Sequence, residues 1–500
     1  MWKRWFSYKS LDALRADAAA LGVDGDVEFD DTPDAALERV TIAGRTLANR
    51  LAIHPMEGCD GTADGEPGEL TLRRWRRFGA GGAALIWGEA TAVLPEGRAN
   101  PRQLLITPER IGVYARLVRE TRAAHREAFG HDRDLLVGLQ LTHSGRYSHA
   151  RPVIAAHNPA LDARTFVDRA RGITVDAAYP LISDADIERL EDAYARAARC
   201  AAEAGFDFID VKHCHGYLPH ELLGARSRPG LYGGSFENRT RFARNTLAKI
   251  RAEVGRALLL AARVNVFDGV PYVADPATGI GVPGPFPVPY IHAFGVNPDD
   301  PLHEDLDEPL AFARLLAAEG VELLNVSLGI PYINPHLGRP FDRPSGGSYL
   351  PPEHPLLGVA RHFRLTAAVQ RAFPDLAVVG TGYSWLQRWL VHAAAANIRK
   401  GAVTIAGVGR GALAYPDFAR DAREKGVLDS KRVCLAVSFC TDLMRAKNNE
   451  AGQYPTGCVP RDAMYADLYA ESIGRPTGAQ SDKNTPAPDA PALDTQEPDE

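Results

Sequence analysis

Short apolar segments alternate with longer amphipathic segments through most of the chain. Eight of the short segments are apolar almost throughout, rather than at every second position. Runs of this kind are typical of parallel strands that are buried on both faces. The pattern predicts strands at Leu51–Met56, Ala84–Glu89, Leu135–Leu141, Phe206–Lys212, Leu258–Val264, Val321–Ser327, Leu376–Gly380 and Ala402–Ala406.

The segment before the fourth predicted strand shows the helical period most clearly. Ser183 can cap its N-terminus, and apolar side chains share one face at Ile187, Leu190, Tyr194, Ala197, Ala198 and Ala201. Strands separated by such helices predict an α/β fold, a (β/α)8 TIM barrel with long βα loops and a C-terminal extension. A doubly wound open sheet is disfavoured because no GxGxxG motif follows the first strand.

The two ends of the chain depart from this alternation. Residues 1–39 suggest an N-terminal arm with a short helix at Leu11–Ala20, and residues 40–428 contain the barrel. Residues 429–471 are interpreted as a C-terminal extension. Residues 472–500 are rich in Pro, Asp and Glu with few apolar groups, so we expect a disordered tail there.

Composition narrows the class of protein. The chain has 500 residues, of which 45% are hydrophobic and 24% charged, as in soluble globular proteins. A formal net charge of −6 argues against a nucleic-acid partner. The sequence lacks both a transmembrane run and a clean secretory signal, so we expect a cytoplasmic protein with no membrane partner. The six cysteines are too few to indicate a disulfide framework.

Two predicted βα connections are unusually long, from Asn265 to about Asp305 and from Gly329 to about Leu357. Long loops at the carboxyl ends of barrel strands cover active sites or form subunit contacts, and the sequence favours neither.

Residues able to do chemistry collect at the carboxyl ends of the predicted strands, where barrel enzymes place their active sites. The last two strands end in Gly380-Thr381-Gly382 and Gly407-Val408-Gly409-Arg410, a backbone suited to phosphate. The fourth ends in Lys212, His215 and Tyr217. A cation, an imidazole and a phenol together could hold a carbonyl oxygen and deliver a proton.

The segment FIDVKHCHGYLPHELLGARSRPGLYGGSFENRTRF, from Phe208 to Phe242, resembles the old yellow enzyme family of FMN-dependent oxidoreductases. The segments LANRLAIHPM, ALIWGEATAV, GLQLTHSGR, LLAARVN and VGRGALAYPDF are similar to it as well. The resemblance implies FMN at the mouth of the barrel, NADH or NADPH as co-substrate, and a small-molecule acceptor such as an activated alkene.

The resemblance also assigns roles to individual residues. The implied cofactor-binding residues are Pro55, Met56, Glu57, Ala90, Gln140, Arg263, Gly382, Gly409 and Arg410. His215 and Lys212 occupy the positions that hold the acceptor's oxygen, and Tyr217 occupies that of the proton donor. Lys212 replaces a histidine, and Glu57 replaces a small residue beside the flavin, so the two departures could form an ion pair.

Cys434, Cys440 and Cys458 resemble a remnant of the four-cysteine motif that longer members use for an iron–sulfur cluster, with Val437 near the missing ligand. We expect packed thiols here, neither a cluster nor any other metal site. Arg73, Arg74, Arg76 and Arg77 are interpreted as the solvated basic face of a helix.

Two other functions remain open from the sequence. Lys212 at a strand end suits a Schiff-base lyase, and the altered pair suits a flavin-binding protein without ene-reductase turnover. The sequence leaves the oligomeric state open, a homo-oligomer included.

Overall fold

The computed structural model describes residues 6–475. Within them, eight parallel strands form one closed barrel, in which each strand pairs with its sequence neighbours and the eighth pairs with the first. This confirms the predicted (β/α)8 barrel. The barrel strands are β1 (Leu51–Ile53), β2 (Leu85–Ala92), β3 (Leu136–Thr142), β4 (Phe208–Val211), β5 (Leu259–Phe267), β6 (Val321–Leu328), β7 (Ala377–Gly380) and β8 (Ile405–Val408).

One helix follows each strand on the outside of the barrel. These helices are α1 (Glu69–Ala80), α2 (Ile111–Phe129), α3 (Asp184–Glu203), α4 (Arg241–Val254), α5 (Asp307–Ala318), α6 (Pro355–Ala372), α7 (Leu390–Arg399) and α8 (Phe418–Lys425). Shorter helices lie at Leu11–Ala20, Asp34–Leu37, Pro159–Asp162, Leu218–Leu223, Phe236–Arg239, Pro335–Gly338, Arg410–Ala414, Phe439–Arg445 and Ala463–Ser472. Four 3₁₀ segments lie at Pro95–Gly97, Pro108–Arg110, Gly145–Tyr147 and Tyr383–Trp389.

Helix α3 forms as its sequence predicts. The Ser183 hydroxyl accepts a hydrogen bond from the Asp186 amide at 3.1 Å, which satisfies one of the free N–H groups of the first turn. All six apolar residues of the predicted face are buried. Strand β8 differs most from its prediction, because Ala402 still belongs to the turn after α7, where its amide donates to the Asn397 carbonyl.

The amino-terminal end of the barrel is closed by a hairpin. Its strands Val40–Ile42 and Arg45–Leu47 are antiparallel, and Ile42 and Leu47 pack with the apolar side chains inside the barrel. Two further hairpins, Phe166–Asp168 with Ile173–Thr174 and Tyr272–Ala274 with Gly281–Pro283, belong to loops. The opposite end of the barrel is therefore the end that remains available for a site.

The segment after α8 folds back onto the barrel. Asp462 accepts hydrogen bonds from Arg73 at 2.8 Å and Arg77 at 2.7 Å, and the Thr456 amide donates to the Gly58 carbonyl at 2.6 Å. Arg74 is buried beneath them against two carboxylates. The predicted solvated basic face of α1 is therefore wrong for three of its four arginines. Arg73 and Arg77 hold the extension and Arg74 fills a buried ion cluster, whereas Arg76 is 43% exposed.

Within the described range, none of the helices is both long enough and apolar enough to cross a membrane. The predicted disordered tail lies outside the described residues from position 476 onward, and Ser472 still ends a helix.

Candidate active site

A cavity of about 370 Å³ opens at the carboxyl ends of the strands. Its wall contains His215 and seven of the nine predicted cofactor residues, which are Pro55, Met56, Glu57, Arg263, Gly382, Gly409 and Arg410. Ala90, Gln140, Lys212 and Tyr217 are not among the lining residues. The loop after β6 contributes Tyr332 and Arg339, whereas the long loop after β5 contributes nothing beyond Arg263 on the strand itself.

The ends of β7 and β8 offer an anion-binding wall. Arg410 donates one hydrogen bond to the Pro340 carbonyl at 2.6 Å, and its other terminal nitrogen is buried without a partner. Gly382 has φ of +107°, and a Cβ there would lie 2.9 Å from the Cβ of His362, so the position favours glycine. A free guanidinium N–H beside close-approaching backbone fits the phosphate of FMN.

Arg263 is positioned by a buried carboxylate. Asp210 accepts hydrogen bonds from the Arg263 amide at 2.8 Å, from Gln140 Nε2 at 2.6 Å and from Trp87 Nε1 at 2.8 Å. The Arg263 Nε has no partner and the side chain reaches the cavity wall. A fixed, unpartnered cation at this place fits a flavin ring that gains negative charge on reduction.

His54 forms a polar link across the barrel mouth. Its Nδ1 lies 3.1 Å from Asn325 Nδ2 and its Nε2 lies 3.1 Å from Thr381 Oγ1. The Thr381 hydroxyl already donates to the Val326 carbonyl, so the imidazole must donate from Nε2 and accept at Nδ1. Burial lowers the pKa of His54, in agreement with this neutral form.

The turn after β4 brings the three predicted catalytic residues to one side of the cavity. His215 and Gly216 adopt φ of +66° and +76°, and this turn places the His215 Nε2 at 3.0 Å from Ser327 Oγ on β6. Burial and the charges of Arg263 and Lys212 lower the pKa of His215, so the imidazole is neutral. The turn brings His215 to the cavity wall, whereas Lys212 is buried outside the lining.

Lys212 and Tyr217 contact each other behind this wall. The Lys212 Nζ lies 3.5 Å from the centre of the Tyr217 ring, as in a cation–π contact. Burial lowers the pKa of Lys212 to about 8. The anticipated Lys212–Glu57 ion pair does not form, since no contact within 4 Å joins the two among the described residues.

Glu57 lies on the cavity wall, and its carboxylate accepts a hydrogen bond from the Asn100 amide. Burial raises the pKa of Glu57 to about 7, against the attraction of the Lys212 charge. At neutral pH the side chain is therefore divided between its two protonation states.

Tyr332 extends the site in a way that sequence analysis missed. Its hydroxyl lies 2.9 Å from that of Tyr217, its ring stacks on Tyr147 with centroids 3.9 Å apart, and 45% of its surface is exposed. Tyr217 is buried, so Tyr332 connects the buried phenol to solvent. No motif marked it, because its role depends on contacts with Tyr147 and Tyr217, which are distant in the sequence.

The C-terminal extension supplies part of the cavity wall, which sequence analysis also missed. The lining residues from this segment are Cys440, Thr441, Met444, Arg445, Lys447, Gln453 and Thr456. Arg343 on the loop after β6 pairs with Asp442 at 2.8 Å, and the Arg339 side chain donates to Thr441 Oγ1 at 2.6 Å. The extension therefore belongs to the site rather than to a separate lobe.

The three C-terminal cysteines meet around a separate cavity of about 20 Å³, together with Val437. Burial raises the pKa of Cys434 and of Cys458, which favours the protonated thiols. Three thiols and a valine do not supply the four thiolates of a typical iron–sulfur cluster. No group of three metal-binding side chains was found in residues 6–475.

Comparison with known proteins agrees with the geometry. Residues 38–277 match the NADH:flavin oxidoreductase / NADH oxidase family. An NADPH dehydrogenase of Geobacillus sp. is 30% identical over 300 residues, 58% of this chain and 71% of that protein. An NADH:flavin oxidoreductase of Gibberella zeae is 29% identical over 305 residues, 58% of this chain and 66% of that protein.

Solved structures share the fold at lower identity. A 2-naphthoyl-CoA reductase superimposes with a TM-score of 0.63 at 15% identity, covering 87% of this chain and 58% of that one. The old yellow enzyme homologue from Zymomonas mobilis gives a TM-score of 0.53 at 21% identity, covering 79% and 94%. The chain thus spans less than two thirds of the reductase. On the sequence match and the shared barrel, it belongs to the NADH:flavin oxidoreductase family, which includes the old yellow enzymes.

Proposed function

We propose that the protein is an FMN-dependent oxidoreductase that uses NADH or NADPH to reduce an activated alkene or a related small acceptor. The observation that carries the proposal is the cavity at the barrel mouth. Arg263 and Arg410 lie on its wall together with His215, and neither guanidinium pairs with a carboxylate in the described part of the chain. FMN bound there would carry two electrons from the nicotinamide to the acceptor.

Binding of the cofactor would use the two cationic sites already described. Arg410 and the backbone at Gly382 and Gly409 would hold the phosphate, and Arg263 and Gln140 would contact the ring. Pro55, Met56, Glu57 and Ala90 would form its remaining surroundings. Asp210 would keep Arg263 and Gln140 in place, because it accepts hydrogen bonds from both.

Activation of the acceptor would fall to His215 and Lys212. A neutral imidazole donates a hydrogen bond without adding a charge, and a buried ammonium polarises a carbonyl oxygen strongly. Hydride arrives at one alkene carbon and a proton at the other. Tyr217 would donate that proton, and Tyr332 would replace it from solvent through the 2.9 Å contact between the two hydroxyls.

The first experiment is the visible spectrum of the protein purified without added cofactor. We expect a flavin spectrum that NADH or NADPH bleaches without oxygen and that an enone such as 2-cyclohexenone restores. A protein that neither carries FMN nor binds it on addition would refute the proposal.

The proton path is tested by separating the two half-reactions. Tyr217→Phe should slow reoxidation by the enone about 100-fold, the lower range for loss of a general acid, and leave flavin reduction unchanged. Tyr332→Phe should show a smaller loss in the same step. Tyr147→Phe is the matched control, because it keeps the ring stacked on Tyr332 and its hydroxyl is outside the Tyr217–Tyr332 contact. Equal reoxidation rates in all three variants would remove these roles.

A Schiff-base lyase is the second candidate, since the pKa of Lys212 is lowered to about 8 and an uncharged amine is the nucleophile in such enzymes. Borohydride treatment with a carbonyl compound should leave Lys212 unmodified if the oxidoreductase proposal is right. Covalent labelling of Lys212 would favour the lyase.

A further inference from the structure

We infer that Arg339 and Arg445 form a subsite for a carboxylate of the acceptor, at the rim that the C-terminal extension builds over the cavity. The inference rests on the proposed function and specifies its substrate class. Three observations support this subsite: the excess of positive charge around the cavity, the neutral partners of the two arginines, and the position of the two arginines on the wall of the same cavity as His215 and Tyr332.

The cavity wall carries a large excess of positive charge. Its basic residues are Arg263, Arg339, Arg410, Arg445 and Lys447, and its one acidic lining residue is Glu57. Within residues 6–475, none of these five cations forms an ion pair. Most other arginines of the described chain pair with a carboxylate, so the absence of partners here distinguishes this wall.

Bound FMN would not neutralise this wall. A phosphate monoester carries about two negative charges at neutral pH. A reduced flavin ring would add one more, beside Arg263. Glu57 is only partly ionised near pH 7. Cationic groups therefore remain without an anion. Among them are Arg445 and Lys447 on the extension, and Arg339, which donates to Thr441 of the extension.

Neutral groups hold both arginines in place. Arg339 donates to Thr441 Oγ1 at 2.6 Å, and Arg445 donates to Ser345 Oγ at 3.1 Å. The Arg339 Nε is buried without a partner. Burial and the nearby charges of Arg410 and Arg445 lower the pKa of Arg339 to about 10, although Asp442, which pairs with Arg343, acts in the opposite direction. Guanidinium groups held near one another by hydroxyl partners alone repel each other, and this repulsion costs free energy unless an anion binds to them.

The position of the subsite favours the acceptor over the cofactor. Arg445 and Tyr332 line the same cavity, and the Tyr332 hydroxyl contacts Tyr217, the proposed proton donor. An anion bound by Arg445 would thus share the cavity with the proposed proton path. A carboxylate that the acceptor bears apart from its activating carbonyl would bind there, while His215 and Lys212 hold the carbonyl oxygen.

The test compares benzoate with benzamide, which match in shape and differ in charge. Calorimetry on the FMN-loaded protein measures the Kd of each, and the shift of the flavin absorption band reports binding at the same cavity. Arg445→Gln should weaken benzoate about tenfold and change benzamide less than twofold. Arg339→Gln should act in the same direction. Lys431→Gln, an exposed lysine of the extension away from the cavity, is the control and should change neither.

The other outcomes overturn the inference. Unchanged benzoate affinity in Arg445→Gln would refute it, and equal weakening of both ligands would assign the arginine to cavity shape. A raised Kd for NADH and NADPH with unchanged benzoate would assign the arginines to the nicotinamide's phosphates. Loss of FMN from both arginine variants, with benzoate affinity unchanged after reloading, would assign them to the cofactor. A wild-type protein without any flavin would instead refute the proposed function itself.

Discussion

Replacing Arg74 with methionine should cost the fold about 3–5 kcal/mol, the range for breaking a buried ion pair. The Arg74 side chain is 5% exposed, and it lies between the carboxylates of Asp60 and Glu89, which are 2% and 3% exposed. Methionine matches much of the arginine volume but leaves two buried negative charges without a cation. The loss therefore comes from charge rather than from a cavity.

The remaining partners of the two carboxylates do not replace Arg74. Thr71 Oγ1 donates to Asp60 at 2.6 Å, and the Gly58 amide donates to Glu89 at 2.7 Å. These dipoles stabilise a carboxylate but leave its net charge unchanged. Removing Arg74 would consequently leave the charge of both carboxylates without compensation in the folded state.

Urea denaturation followed by circular dichroism measures the effect at pH 7, with FMN at the same saturating concentration for each protein. Arg76→Met is the matched control on the same helix. Its pair with Glu120 at 2.5 Å is 43% and 26% exposed, so about 1 kcal/mol or less is expected. A loss below about 1 kcal/mol for Arg74→Met would refute the reasoning.

Three smaller predictions concern other parts of the fold. Because the pKa of Glu57 is raised to about 7 in the folded state, the stability of the wild type relative to Glu57→Gln should fall as pH rises from 5 to 8, measured by urea titrations of both proteins. Ser183→Ala should cost about 1 kcal/mol through the lost helix cap, measured by the same titrations. Gly382→Ala should lower the FMN retained through gel filtration, whereas Gly401→Ala, with positive φ but open space, should leave it unchanged.

The barrel was predictable because its strands are buried on both faces. That burial demands nearly continuous apolar runs, and such runs can be recognised without any knowledge of the neighbours. The cap of α3 was predictable for a similar reason, because Ser183 acts on an amide only three residues away. Features determined by local geometry or by two-sided burial are thus readable from one sequence.

Features that depend on distant partners were not predictable. Arg74 follows the same local pattern as Arg73, and only the approach of Asp60 and Glu89 distinguishes the buried arginine from its neighbour. Tyr332 lacks a motif because its role depends on a contact with Tyr217, 115 residues earlier in the chain. Arginine and tyrosine side chains occur both at the surface and in the interior of proteins, so the residue type alone does not predict whether one is buried.

The cysteines of the C-terminal extension do not indicate what the rest of the segment does. Their spacing suggests metal chemistry. The segment is instead attached to the barrel by Asp462, which contacts α1, by Thr456, which contacts Gly58, and by Asp442, which contacts the loop after β6. These ties lie on both sides of Arg445. These contacts restrict the positions that the Arg445 guanidinium can adopt. An anion subsite requires such restriction, because a mobile cation loses conformational entropy on binding and gains little free energy from a single contact. The extension can therefore keep its place over the cavity without any cluster, and its charged residues give a reason for the chain to retain it.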